Sequence, residues 1–420
     1  MTELILSDRA ARIGLAPNAA AKARAQALAA SGRTVIELTS GEPDFDTPDW
    51  IKQAAIAALA AGETKYTAQA GTLELRTAIS EKLARENGLA YPAAQIIACG
   101  GGKHVIYNAF AATLRSGDEV IVPAPYWQSF PAMVSINDGT PVTLPTLREA
   151  GYKITPAQLD AAITARTRWL ILNTPSNPSG AVYTTDELTA LADVLRRYPH
   201  VWVLLDEIYE HIRFDDESRT HLLTLAPDLA DRTLIVNGAS KPFAMTGWRI
   251  GYGAGPAALI RAMTIVQSQS TSAPSSVSQA ALAAALRGDQ SFVRRSVAAY
   301  RERRDLLLDG LRGIDGLQCA APQGAFFAFV DCSALIGATT PDGKLLLGDT
   351  DFVDYLLFGH GLAVVDGTSF GLPGHFRLSF VADRDAIIEG VRRLAAAVAA
   401  LSRDTANTRA PRAETTEAAS

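Results

Sequence analysis

Two kinds of apolar spacing alternate along the first 250 residues. One is helical: "DWIKQAAIAALAAG" (49–62) and "LELRTAISEKLAREN" (73–87) set apolar side chains three or four positions apart among strong helix formers. The other is a short run of consecutive aliphatic residues, as in "AQIIACG", "DEVIVPAP", "RWLILNTP", "VWVLLDE" and "TLIVNGAS". Runs without polar alternation are expected of parallel strands covered on both faces. Their alternation with helices over 95–255 predicts an open α/β sheet. Beyond residue 290 a charged helix, "SVAAYRERRDLLLDGLRG", leads into "GAFFAFVDC", a further helix, "GLAVVDGTSF" and "HFRLSF". That order predicts a smaller α+β domain. The division expected is 1–48 as an N-terminal arm joined to the small domain, 49–290 as the large domain, 291–402 as the small domain, and a disordered polar tail over 403–420.

In open α/β sheets ligands gather beyond the carboxyl ends of the strands. The residues just past the five runs are Gly100–Lys103, Tyr126–Trp127, Asn173–Asn177, Asp206–Tyr209 and Gly238–Lys241. Nearly every distinctive polar or aromatic residue of the first 250 falls at one of these ends, so the pattern alone points to a site there.

Composition narrows the function. The 420 residues are 48% hydrophobic and 20% charged, with a formal net charge of −5. This suits a globular chain of two or three domains and argues against nucleic acid or an anionic membrane as partner. Cys99, Cys319 and Cys332 lie far apart and form no metal or redox pattern. No export signal or membrane-length apolar run is visible, so a cytoplasmic location is expected.

Several familiar motifs fail on inspection. "CGGGKHV" would need glycine at Val105 for a dinucleotide fingerprint, and Ile97 and His104 break the phosphate loop of nucleotide hydrolases. "GTSFG" (367–371) matches the nucleophile elbow but lacks the helix that should follow. The six histidines make no ligand spacing, so no metal is expected.

What remains is suggestive residue by residue. "GGGK" before a helix exposes backbone N–H groups to an anion, although a tight turn explains the glycines as well. Asp206 could be a helix cap, Trp127 a core residue, "NTPSNPSG" a turn, and Arg377 a strand-edge charge. Lys241 is harder to explain away. It stands in "NGASKPFAMTGWRIGYGAGP" with no carboxylate nearby in sequence, and a desolvated lysine is the kind that condenses with carbonyl compounds.

Taken together, "SGEPDFDTP", "KYT", "GGK", "PYW", "NTPSNPSGAVY", "DEIYE", "GASKPFAMTGWRIGYGAGP" and "HFRLSF" resemble the class I aminotransferases, pyridoxal-phosphate (PLP) enzymes of fold type I. The branch most resembled is that of the bacterial aspartate aminotransferases, over about residues 10–400. The resemblance implies a large domain with a mostly parallel seven-stranded sheet between helices, a smaller α+β domain, and a homodimer with shared sites. It implies that Lys241 carries PLP as an internal aldimine and shuttles a proton, while Asp206 keeps the pyridine nitrogen protonated. A pair of opposite charges a few ångströms apart at an effective dielectric near 20 is worth about 4 kcal/mol, enough for that task. Tyr209 and Asn177 are implied to bond the ring's 3′ oxygen and Trp127 to stack on the ring. Gly101, Gly102, Lys103, Ser240 and Arg249 are implied to take the phosphate, and Tyr66 to reach the phosphate of the neighbouring subunit. Arg377 is implied to clamp the substrate α-carboxylate, assisted by Gly41 and Asn177, with Lys103 and Trp127 also facing substrate.

One stretch departs from the branch. Where it usually reads K-P-S-P-T, this chain has Gly14-Leu15-Ala16-Pro17-Asn18, keeping only Asn18 as a polar group. Likewise Gly238 stands where serine is frequent. The function expected is ping-pong transfer of an amino group between an L-amino acid, foremost L-aspartate, and 2-oxoglutarate. The alternatives are an aromatic, neutral or basic donor, or a PLP lyase or decarboxylase on the same scaffold. A ligand-sensing module and a nicotinamide oxidoreductase are the readings from other classes. The first calls for an appended DNA-binding domain, and the second for the glycine fingerprint that fails.

Overall fold

The computed structural model describes residues 6–15, 17–214 and 220–402, so the tail expected over 403–420 lies outside the described residues. Its centre is a seven-stranded sheet: β1 (Ile96–Cys99), β2 (Glu119–Ala124), β3 (Thr140–Pro145), β4 (Thr167–Asn173), β5 (Trp202–Asp206), β6 (Thr233–Gly238) and β7 (Gly251–Ala254). The spatial order is β1-β7-β6-β5-β4-β2-β3. Strands β2 to β6 pair in parallel, and β7 runs antiparallel between β6 and β1. Successive residues of one strand serve opposite faces. Ile96 and Ala98 join the core that includes Leu75, Ile79 and Leu282, whereas Ile97 and Cys99 join the one that includes Val105, Phe110 and Ile260. A sheet buried on both sides needs no polar alternation, which is why its strands read as continuous apolar runs.

The apolar-run pattern does not show β3 and β7. Strand β3 is an edge strand, half exposed and bearing Pro141 and Pro145, so its sequence carries little apolar signal. Strand β7 reads "GYGA", a glycine pattern forced by packing. A Cβ on Gly251 would lie 2.6 Å from the Gly102 amide nitrogen and 2.8 Å from the Gly101 carbonyl carbon. Only glycine lets the turn after β1 approach that closely.

C-terminal to the sheet, His375–Ser379 and Phe327–Asp331 pair antiparallel at the heart of a four-stranded sheet, with Arg377 opposite Phe329. Helices Ser291–Leu311, Asp349–His360 and Arg384–Ala399 cover it around a phenylalanine-rich core. The N-terminal residues rejoin this part: Ile36–Glu37 pairs in parallel with Leu362–Ala363. In "GTSFG", Ser369 bonds Asp366 within a short 3-10 turn that ends on Gly371, a capping role rather than a nucleophile's. Among the described residues no helix is long and apolar enough to cross a membrane.

Candidate active site

Parallel pairing brings the strand ends level. Asn173 stands opposite Asp206, Asp206 opposite Val236, and β6 ends three residues before Lys241. A cavity of about 240 Å³ opens beyond these ends. Every site residue expected from the sequence lines it except Tyr66 and Arg377. Tyr66 lies outside, 98% exposed. Arg377 is fully buried just behind the wall, joined to it through Asn177 and Asn18.

One end of the cavity is an anion cradle. Gly101, at φ +95°, caps the helix Gly102–Thr113 with its N-terminus directed at the cavity. A Cβ on Gly101 would sit 2.6 Å from Arg249 Nη2, so glycine is needed here both for its φ and for room. Arg249 itself is held at φ +50° and donates to the carbonyls of Thr246 at 3.0 Å and Gly100 at 3.2 Å. Backbone strain at a non-glycine residue is tolerated where the surroundings impose it, and here it aims a guanidinium at the helix N-terminus. Ser240 and Lys103 line the same cavity, and the Lys103 amine lies 4.8 Å from the centre of the Trp127 ring.

The middle holds Lys241, whose Nζ donates to the Gly41 carbonyl at 2.6 Å. Burial pulls its amine down to about 8; Arg249 and Arg377 add to this while Glu42 and Asp206 oppose it. Asp206 is buried, accepts from the Ile208 amide at 3.1 Å, and is pushed by that burial up to about 7. A carboxyl so displaced is short of positive charge, and a cation placed against it would restore the anion. Tyr209 is buried against Phe326 and Phe327, with the Lys241 amine 6.0 Å from its ring centre.

Arg377 spends its hydrogen bonds on neutral acceptors. It donates through Nη1 to Asn177 Oδ1 at 3.0 Å, and through Nη2 to the Thr39 carbonyl at 2.7 Å and Asn18 Oδ1 at 3.4 Å. Phe327 and Phe370 flank it at 4.3 and 5.0 Å, and Nε has no partner among the described residues. Burial lowers its proton affinity to about 10. An unpaired buried cation is expensive unless an anion arrives to match it.

These residues suit PLP. A phosphate dianion suits the cradle of Gly101, Gly102 and Arg249, where a side chain on Gly101 would displace the guanidinium. A cationic ring nitrogen answers the displaced Asp206, and a depressed lysine amine answers an aldehyde carbon. Trp127 offers a flat apolar face.

A sequence model of the family described as "Aminotransferase class I and II" matches residues 33–397. The chain belongs to that family. The aspartate/prephenate aminotransferase of Cereibacter sphaeroides is 50% identical over 94% of this chain and 99% of its own length. The crystal structure of the Rhizobium meliloti aspartate aminotransferase superposes with a TM-score of 0.93 at 48% identity, covering 95% of this chain and all of that one. The Thermus thermophilus aspartate aminotransferase, solved with maleate, gives 0.88 at 41% identity, covering 94% of this chain and all of that one. The protein is accordingly a PLP-dependent aminotransferase of fold type I.

Some participants gave no signal in the sequence. Thr246 donates to Glu42 at 2.9 Å and lines the cavity. Below the strand ends Glu210 is buried, accepting from the Lys82 ammonium, from Asn237 at 2.7 Å and from Asn87 at 3.0 Å. Glu86, Glu210 and His211 cluster closely enough to suggest a cation site, but the Lys82 ammonium already supplies the positive charge there. Gln128 accepts from the Asn18 amide of the N-terminal segment at 3.1 Å.

Proposed function

We propose that this aminotransferase exchanges the amino group of L-aspartate for the oxygen of a 2-oxo acid, 2-oxoglutarate above all. The observation that carries this reading is a pair of cations at one cavity, Arg377 and Lys103, neither forming an ion pair among the described residues. Two such groups suit a substrate with two carboxylates. Relatives named for aspartate, one of them solved with maleate, support the same choice.

PLP, once bound, supplies an electron sink beside the substrate Cα. The chain's residues do the rest. Gly101, Gly102, Ser240 and Arg249 hold the phosphate. Asp206 holds the proton on the ring nitrogen, and Tyr209 and Asn177 meet the ring oxygen. Trp127 covers the ring face and keeps water from it. Arg377 fixes the α-carboxylate, so that the Cα–H points consistently at the Lys241 amine. That amine, lowered by burial to about 8, would serve as the base that takes and holds the Cα proton. The same reading includes a division into large and small domains at about 49–290 and 291–402. It also includes a homodimer, supported by a Tyr66 that is free to reach another subunit. The three unpaired cysteines support a reducing, cytoplasmic setting.

The loss of the branch's basic and hydroxyl groups before Asn18 favours a second reading, a neutral or aromatic donor. Mixing the holoenzyme with a panel of amino acids and following cofactor absorbance decides between them. L-aspartate should convert the spectrum and 2-oxoglutarate should restore it. Conversion by another amino acid with none by aspartate or glutamate refutes the first reading. Arg377→Lys, which loses the planar fork, should lower kcat/KM by roughly ten- to 150-fold, the worth of one charged hydrogen bond.

A further inference from the structure

The N-terminal segment is tied to one helix at two places. The helix Ser129–Ile136 follows directly on Trp127 and Gln128. At its far end Asp138 accepts from Arg9 Nη2 at 2.7 Å and Arg12 Nη1 at 3.0 Å, and Arg12 also donates to the Ser135 carbonyl at 3.3 Å. At its near end the Asn18 amide donates to Gln128 Oε1 at 3.1 Å. Between the two ties Leu15 is 88% exposed. The outer tie caps the last turn of the helix through Arg12 and the Ser135 carbonyl, but the Asp138 carboxylate itself does not serve the helix. A negative charge just past a helix C-terminus opposes the macrodipole, so Asp138 is tolerable because two arginines answer it. Gln128 is buried and, among the described residues, its Nε2 has no hydrogen-bond partner, so the Asn18 amide is the one described partner of its carboxamide.

The segment ends at Asn18, which lines the cavity and touches Arg377 through the longest of that guanidinium's bonds. An incoming carboxylate therefore meets Arg377 and the Asn18 carboxamide together, and displaces the weakest contact first. We propose that Gln128 and Asp138 are positioning residues for substrate recognition, clasping the N-terminal segment so that Asn18 stands beside Arg377 as a second, neutral donor to the substrate carboxylate. This rests on the reading of Arg377 as the carboxylate site. It places part of the specificity outside the cavity, on two residues that do not line it.

Asp138→Asn is the cleanest probe. The residue lies at φ +64°, a conformation asparagine tolerates, so the change removes charge without straining the backbone. An Arg9→Gln/Arg12→Gln pair, both exposed, breaks the same tie from the other side, and Gln128→Met breaks the inner one. Steady-state kinetics on the holoenzymes use whichever donor the panel prefers, and calorimetry measures succinate binding. KM and the succinate dissociation constant should rise about three- to tenfold in each variant, the scale of one net hydrogen bond, with kcat within twofold. The KM of both proteins should climb in about 1 M salt, where screening falls to roughly 3 Å, and that of the wild type should climb by the larger factor, because only it also loses the Asp138 ion pairs. Unmoved KM and succinate binding in Asp138→Asn and in the arginine pair overturn the clasp. If Arg377→Lys also leaves KM unmoved, the fault lies in the carboxylate reading; if Arg377→Lys behaves as expected, the clasp alone is wrong.

Discussion

One methyl group added at Gly251 should loosen the enzyme's hold on its cofactor. Gly251 has ordinary extended strand geometry, so alanine is not excluded there by its backbone angles; the objection is purely spatial. The new Cβ would stand 2.6 Å from the Gly102 nitrogen, 2.8 Å from the Gly101 carbon and 3.1 Å from the Asn237 oxygen, all backbone atoms that no rotamer can move. Ordinary contact begins at 3.4 Å, so the turn must retreat by about 0.8 Å. Overpacking of this kind destabilises by about 1–3 kcal/mol. The same retreat displaces the Gly102 amide from the position in which it would meet the phosphate. Losing one charged hydrogen bond of about 1.5–3 kcal/mol weakens cofactor binding by roughly ten- to 150-fold. Gly247→Ala is the control, since nothing lies within 4 Å of a Cβ there. Apoenzymes titrated with PLP, followed by absorbance and by thermal melting with and without cofactor, give both quantities. A Gly251→Ala protein that binds PLP as tightly as Gly247→Ala would refute the assignment of the 101–102 turn as the phosphate cradle.

Two further outcomes follow from the electrostatics. Lys241 titrates in the folded apoenzyme near 8, below the usual lysine value of 10.5. The folded state therefore binds fewer protons than the unfolded one between those values, and the apoenzyme should gain stability as pH rises from about 8 to 10. The rate at which the apoenzyme captures PLP should rise towards pH 8 and level above it. Glu42→Gln, removing an opposing negative charge, should move that midpoint lower; a midpoint unmoved or raised contradicts the account. Lys82→Met should destabilise by about 3–5 kcal/mol in denaturant titrations, because it strands the buried Glu210. The Lys82→Met/Glu210→Gln pair should recover much of that loss, and an equal loss in both would show the charge to be irrelevant.

Much of this was readable from spacing alone. Five strands of the sheet announced themselves because burial on both faces demands uninterrupted apolar residues, and the strand-end rule then gathered Asp206, Asn177, Trp127, Lys103 and Lys241 without any relative in view. The missing strands were hidden for opposite reasons, β3 by exposure at an edge and β7 by packing too close for side chains. Arg377 was recognisable only through the family resemblance. Within "HFRLSF" nothing marks the charge as interior, and its burial depends on acceptors from three distant segments. Gln128 and Asp138 gave no signal, since a contact between residues 110 or more positions apart leaves no periodicity. Tyr66 lies outside the active-site cavity and is almost fully exposed, and its expected role towards a neighbouring subunit stands as a proposal.

The Arg377 guanidinium, proposed to grip the substrate, is steadied by Asn18, Thr39 and Asn177, groups synthesised long before residue 377 itself emerges from the ribosome. A nascent chain that has completed the seven-stranded sheet already possesses the lysine, the aspartate and the glycine turn, and so could retain the vitamin. It would have no grip on an amino acid. Capacity for the cofactor should thus precede capacity for substrate during biosynthesis, and fragments ending near residue 290 should turn yellow with PLP while remaining indifferent to aspartate.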